Sequence, residues 1–291
     1  MKNIKNTVNA IEKTVKCVFT VCGFIVIGFV VLITVFLIIN GLPAIKEIGF
    51  ADFFFNTKWA STAEPASYGI LPFIMTSVYG TLGAVIIGVP IGILCAVFIS
   101  KTAPPKIAKT VSSAVDLLSG IPSVVYGLVG MIIIVPLVRK AFNIPDGATL
   151  FSAILVLAVM ILPSVISVSV TAICAVPKEY EEASLALGAA KTETVFKVTL
   201  PAAKSGIVTA VVLGIGRAIG EAMAVMMVAG NVANMPSLFK SVRFLTTAVA
   251  SEMSYSSGLQ RQALFSIALI LFIFIMAINI ILNLTVKRNK E

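Results

Sequence analysis

The sequence predicts an all-α membrane protein with six transmembrane helices. Two observations carry that prediction. Of the 291 residues 58% are hydrophobic and only 12% charged, with a mean hydropathy of +1.05, a balance foreign to water-soluble folds. The apolar residues also gather into six runs, each long enough at about 1.5 Å per residue to cross a hydrocarbon core about 30 Å thick. No long polar block, low-complexity tract or internal repeat interrupts them, so no separate soluble or catalytic domain is expected.

Residues 1–16 read as a cytoplasmic basic tail. Residues 17–39, Cys17 to Ile39, form the first transmembrane helix; the run lacks a small-x-small cleavage site and reads as an anchor, not a signal peptide. Residues 40–68 are expected to be an external loop. Its aromatic residues Phe50, Phe53, Phe54, Phe55, Trp59 and Tyr68 suit an interfacial belt, or else contact with an extracytoplasmic partner. Residues 69–286 hold the other five spans, at about Gly69–Ser100, Val111–Val138, Leu150–Val176, Ser205–Gly230 and Ala263–Val286, and 287–291 are a second cytoplasmic tail.

Each span carries its own signal. Gly80, Gly83, Gly88 and Gly92 in the second have the small-residue spacing that lets helices approach closely. In the third, Pro122 lacks an N–H and crowds the carbonyl four residues back, so a kink or break is expected; the freed backbone groups need partners such as Ser119, Ser123 or Tyr126. Asp116 lies near its cytoplasmic end, either functional or simply solvated. The fourth has Pro163, then Ser164, Ser167 and Thr171 on one helical face, a hydroxyl stripe that either glues helices or lines a conduit.

Orientation follows from the basic residues of the connections. A cytoplasmic N-terminus puts fourteen of them inside, among them Lys2, Lys5, Lys16, Lys101, Lys178, Lys204 and Lys287, and seven outside, among them Lys58, Arg139, Lys140 and Lys240. Both termini are therefore expected in the cytoplasm. The same bias accounts for most of the net charge of +9, so nucleic acid is not an expected partner. Cys17, Cys22, Cys95 and Cys174 fall in spans or near their cytoplasmic ends, which argues against a structural disulfide. With no histidine and no cysteine pair at zinc spacing, neither a metal site nor catalytic residues are expected.

The fifth span contains GIGRAIGEAMAVMMVAGN, residues 214–231. In an unbroken helix Arg217 and Glu221, four apart, share one face, and each costs about 2.5 to 3.5 kcal/mol at the bilayer centre on insertion scales. They are either a structural ion pair or part of a substrate path; arginine before glutamate is the less favourable order for a pair, which favours the path. The glycines are not a dinucleotide fingerprint, because position 219 is isoleucine.

The polar island 177–204 organises the rest. Pro177 suits a helix start, Glu179, Glu181 and Glu182 complement the positive end of the helix dipole, and Gly188 is placed to end the helix in a left-handed conformation. Thr192 is expected to cap a second helix that stops before Pro201. Three clustered glutamates disfavour a lipid surface and favour a protein partner.

Glu182-Ala183-Ser184, three residues, Gly188, nine residues, then Val198-x-Leu200-Pro201 resembles the docking loop of ABC-importer permeases, E-A-A-x3-G-x9-I-x-L-P, with two mild replacements. With Tyr68-Gly69-Ile70-Leu71-Pro72, the run Ile121-Pro122-Ser123-Val124-Val125-Tyr126-Gly127 and the run Gly216 to Ala224, the chain from Phe50 to about Val286 resembles PstC-type permease subunits of phosphate ABC importers. The sister PstA type fits less well, since Met223 and Ala224 follow Glu221 where that type has a proline-containing run. The resemblance implies the ABC importer type I permease fold in a bacterial cytoplasmic (inner) membrane. It implies a second, PstA-type permease subunit, two copies of a cytoplasmic ATPase and an extracytoplasmic phosphate-binding protein as partners. Glu182, Ala183, Gly188, Leu200 and Pro201 are then expected to couple to the ATPase, and Arg217 and Glu221 to line the substrate path. No G-x-x-x-x-G-K-[ST] motif is present, so no cofactor is expected in this chain and ATP belongs to the partner ATPase. Alternatives are an ion-gradient-driven secondary carrier or channel, an ABC permease for another oxyanion, and a non-conducting scaffold subunit.

Overall fold

The structure is a computed structural model that describes the backbone of residues 2–288 and the side chains of residues 12–280. The basic side chains expected inside at Lys2, Lys5, Lys287, Arg288 and Lys290 lie outside the described residues, as does the end of the 287–291 tail.

In chain order the elements are α1 (Lys2–Ile48), α2 (Phe50–Phe55), a two-stranded antiparallel ribbon of β1 (Trp59–Ala60) and β2 (Ser67–Tyr68), α3 (Leu71–Val97) and α4 (Pro105–Ser119). Then come α5 (Ser123–Val129) and α6 (Val135–Ala141), joined through a π-helical turn, α7 (Leu150–Cys174) and α8 (Lys178–Ala186). After these follow α9 (Lys191–Thr194) and α10 (Leu200–Ala202), also joined through a π-helical turn, α11 (Lys204–Gly220), α12 (Met223–Val228), α13 (Leu245–Glu252) and α14 (Gly258–Arg288). Among the described residues five helices are long and apolar enough to span a membrane, and six if Lys191–Ala202 and Lys204–Gly220, which meet at a 72° bend, are counted together as one span.

The core is α7 packed between α3 and α11. The expected glycine approach is realised on α3. A Cβ built at Gly88 would sit 2.9 Å from the Ala158 backbone carbonyl oxygen, and one at Gly92 would sit 2.7 Å from Val165 Cγ1, so the glycines let α3 and α7 lie this close. By contrast α1 touches the rest mainly along α14, near the Ser266 hydroxyl that donates to the Gly41 carbonyl, and its apolar residues elsewhere are exposed, as a lipid-facing helix requires.

Three expectations change. The third span breaks at Gly120–Pro122, as Pro122 led one to expect, but its bounds move: α4 stands apart, and the membrane-length helix is Ser123–Ala141 and not Val111–Val138. Pro122 begins this helix at φ −59° and ψ 142°, where its missing N–H costs nothing. The fifth span ends at Gly220, because Glu221 is extended at φ −75° and ψ 126°. Finally, the 40–68 loop is largely folded. Helix α1 runs on to Ile48, and Phe53, Trp59 and Tyr68 are buried with Phe73 in a compact cap, while Phe50 and Phe55 remain exposed. Trp59 meets Tyr68 edge-on at 5.6 Å, so these buried aromatics form a small core.

Candidate functional site

The polar island folds much as its chemistry dictates. Pro177 caps α8, Glu179 and Glu181 stand in its first turn, and Gly188 adopts φ +87°, which lets its N–H reach the Leu185 carbonyl and the Ala189 N–H reach that of Ser184. Thr192 is not a cap. The second helix starts two residues earlier, after Ala190, and runs through Pro201 to Ala202, because Pro201 occupies the first turn of α10, where no N–H is needed. Leu200 packs onto the cluster of Ala96, Val97, Ile173, Val176 and Ala203 that roots the segment in α3, α7 and α11. Glu182, Ala183, Gly188 and Pro201 are exposed. Beside them Leu187 is 90% exposed, and Tyr180, Leu185 and Phe196 also project outward. An acidic edge beside unpaired apolar side chains makes a surface suited to a protein partner.

Arg217 lies about 20 Å along α11 from Lys204, at middle depth of the bundle. It is half-buried, and its Nη1 donates to the Ser164 hydroxyl on α7 at 3.2 Å. Glu221 does not share its helical face, since α11 has ended. The Glu221 carboxylate instead accepts from the Ala224 N–H at 2.9 Å, capping the first turn of α12, and its carbonyl accepts from the Thr246 hydroxyl at 2.7 Å. Among the described residues no carboxylate stands at ion-pair distance from Arg217. The break at Glu221 lies beside the break at Pro122, because α12 packs on α5 so tightly that a Cβ at Gly127 would fall 2.7 Å from Ala224 Cα. Tyr126, within electrostatic reach of Arg217, bridges its own break by donating to the Leu118 carbonyl at 2.7 Å, the service expected of it. The hydroxyl stripe divides: Ser164 holds Arg217, Thr171 donates to the Ser167 carbonyl, and Ser167 with Ser112 and Asp116 lines a hollow of about 200 Å³ between α4 and α7.

A bent, discontinuous fifth span beneath an exposed acidic corner can be compared with known proteins. The model of the family described as binding-protein-dependent transport system inner membrane component matches residues 88–290. This chain belongs to that family. It is 38% identical over 273 residues to the probable ABC transporter permease protein YqgH of Bacillus subtilis, covering 91% of this chain and 88% of the relative. It is 35% identical over 283 residues to the phosphate transport system permease protein PstC of Pasteurella multocida, covering 88% of each. The fold resembles the inward-facing MetNI methionine ABC transporter with a TM-score of 0.57 at 22% identity, over 76% of this chain and 94% of that one. The ABC importer type I permease fold and a multi-pass inner-membrane placement are thus borne out. Membership of the family implies, in general terms, a second permease, an ATPase and a binding protein, with the permease a non-enzymatic membrane component.

Sequence reasoning missed a second ionic centre in this binding-protein-dependent permease, at the end of the bundle opposite the polar island. Glu252 pairs with Arg243, accepts from Trp59 Nε1 at 3.2 Å and accepts from Gln260 Nε2 at 3.1 Å; Gln260 also reaches Ser61. Arg243 donates from Nε to the Asn231 carbonyl and stacks 5.8 Å above Phe73. Trp59 and Glu252 stand 193 residues apart, so no local pattern announces them.

Proposed function

We propose that this chain is the transmembrane permease subunit of an ATP-driven, binding-protein-dependent importer of inorganic phosphate, and that it forms the translocation path with a second, PstA-type subunit. The observation that carries the proposal is the state of Arg217. A guanidinium at membrane depth, held by a neutral hydroxyl and without a carboxylate partner among the described residues, keeps its charge available to a passing anion. Its planar fork suits two oxygens of phosphate, and a single neutral tether lets it release as well as bind. The phosphate-transport names of the relatives support the same substrate.

Two copies of a cytoplasmic ATPase dock beneath the permease pair, one of them on this chain's Glu182, Ala183 and Gly188 corner, rooted through Leu200 and Pro201, and they hold the nucleotide that this chain does not. An extracytoplasmic phosphate-binding protein delivers the ion at the Glu252 end, and both termini face the cytoplasm. A gradient-driven carrier using an Arg217–Glu221 couple loses its premise, since Glu221 caps a helix instead.

The test is phosphate uptake into proteoliposomes holding the full complex. Uptake should require ATP and binding protein, and Arg217→Gln should lower it about 100-fold while the ATPase still co-purifies. Uptake by this chain alone without ATP, or undiminished uptake in Arg217→Gln, overturns the reading. Gly188→Asp, which forces a side chain into a left-handed conformation, should reduce ATPase retention, measured by co-purification.

A further inference from the structure

The two neighbouring glutamates of the polar island face opposite ways. Glu182 is exposed, whereas Glu181 turns inward, where its Oε1 receives both the Lys101 ammonium and, at 3.1 Å, the Thr199 hydroxyl. The Lys101 and Glu181 side chains are only 17% and 23% exposed, so solvent screens this pair weakly. One turn further along α8, the Ser184 hydroxyl meets that of Thr194 at 3.0 Å. Hence α8 has a polar inner face fastened to the protein and an outer face left free.

Both partners of Glu181 sit in π-helical turns. Lys101 belongs to Phe98–Thr102, which finishes α3, and Thr199 to Val195–Thr199, which joins α9 to α10. A π-turn holds one residue more than an α-turn, and such turns are frequent at functional sites. Ile99, in the first of these turns, packs against Val115 of α4 and Ile166 of α7. Displacement of α8 therefore reaches α3, α4 and α7 through Glu181, in addition to the covalent routes into α7 and α11.

We infer that Glu181, held by Lys101 and Thr199, is a positioning residue that transmits motion of the docking segment to α3, and that it does not itself contact the ATPase. The inference rests on the importer reading above, and the experiment separates the two. The full complex is reconstituted with its binding protein, and phosphate taken up is measured per ATP hydrolysed. Lys101→Met keeps the stem and removes the charge; the ATPase should co-purify at wild-type yield while the transport-to-hydrolysis ratio falls about 10-fold, the size of a typical coupling between sites. Lys101→Arg should restore the ratio, and Thr199→Val, which keeps the ion pair and the volume, should lower it by a smaller factor. Glu182→Gln should instead weaken ATPase retention and leave the ratio among retained complexes unchanged. A wild-type ratio in both Lys101→Met and Thr199→Val overturns the inference while leaving the importer reading intact, as does loss of ATPase retention in Lys101→Met. Failure of the wild-type chain to retain any ATPase overturns both.

Discussion

Among the described residues the second half of the chain has two partly buried arginines, and they are in opposite conditions. Arg243 is saturated: it pairs with Glu252, donates to the Asn231 carbonyl and lies over the Phe73 ring, while Trp59 and Gln260 occupy the rest of the carboxylate. Arg217 has one neutral hydroxyl. A cation whose charge is cancelled where it stands can only hold elements together, here the folded cap, α13 and α14. One whose charge is left over, as at Arg217, is free to meet a passing anion, which is the role proposed for it. The contrast between the two arginines lies in their partners and not in their depth of burial.

Exchanging each arginine for glutamine should separate the two conditions. Arg217→Gln removes charge-assisted bonds to the ion, worth about 1.5–3 kcal/mol, and uptake should fall about 100-fold with no loss of thermal stability. Arg243→Gln leaves Glu252 without its cation and should cost about 3 kcal/mol of stability, seen as a lower unfolding midpoint and lower yield, while the surviving complex still transports. If the two variants behave alike, the contrast is wrong.

What could be read beforehand follows the same division. The corner at Gly188, the break at Pro122 and the glycine seam on α3 were legible, because each depends on a residue's own backbone chemistry or on helical spacing. The Arg243–Glu252 centre was not, since it joins segments far apart in the chain. The Arg217–Glu221 relation was misread for a subtler reason. Four-residue spacing puts two side chains on one face only while the helix lasts, and this helix ends between them at Gly220, with nothing in Ala218 to Met223 except a glycine to mark the stop. The docking segment's inner latch was also hidden: Glu181 looked equivalent to Glu182 until Lys101 appeared behind it.

Glu221 sharpens the contrast further. Because its carboxylate caps α12 and does not pair with Arg217, Glu221→Gln keeps a carbonyl acceptor for the Ala224 N–H and should change stability by about 0.5 kcal/mol or less, whereas Glu221→Ala should cost about 1 kcal/mol. Uptake in Glu221→Gln should fall less than in Arg217→Gln. Equal losses of uptake would mean that the carboxylate acts on the arginine directly during transport.

Ser164 gives the smallest effect and the finest test. Among the described residues its hydroxyl is the one side-chain hydrogen-bond partner of Arg217, through a single neutral bond worth about 1 kcal/mol. If Arg217 were structural, losing its partner would strand a charge, and Ser164→Ala would be strongly destabilising. If Arg217 is instead parked between visits of an anion, the tether sets only where the guanidinium waits. Ser164→Ala should then leave the unfolding midpoint nearly unchanged and lower uptake by no more than about 5-fold, the factor that 1 kcal/mol represents. The phosphate concentration that half-protects the complex against thermal unfolding should move little, because the ion itself takes over the donors that serine releases.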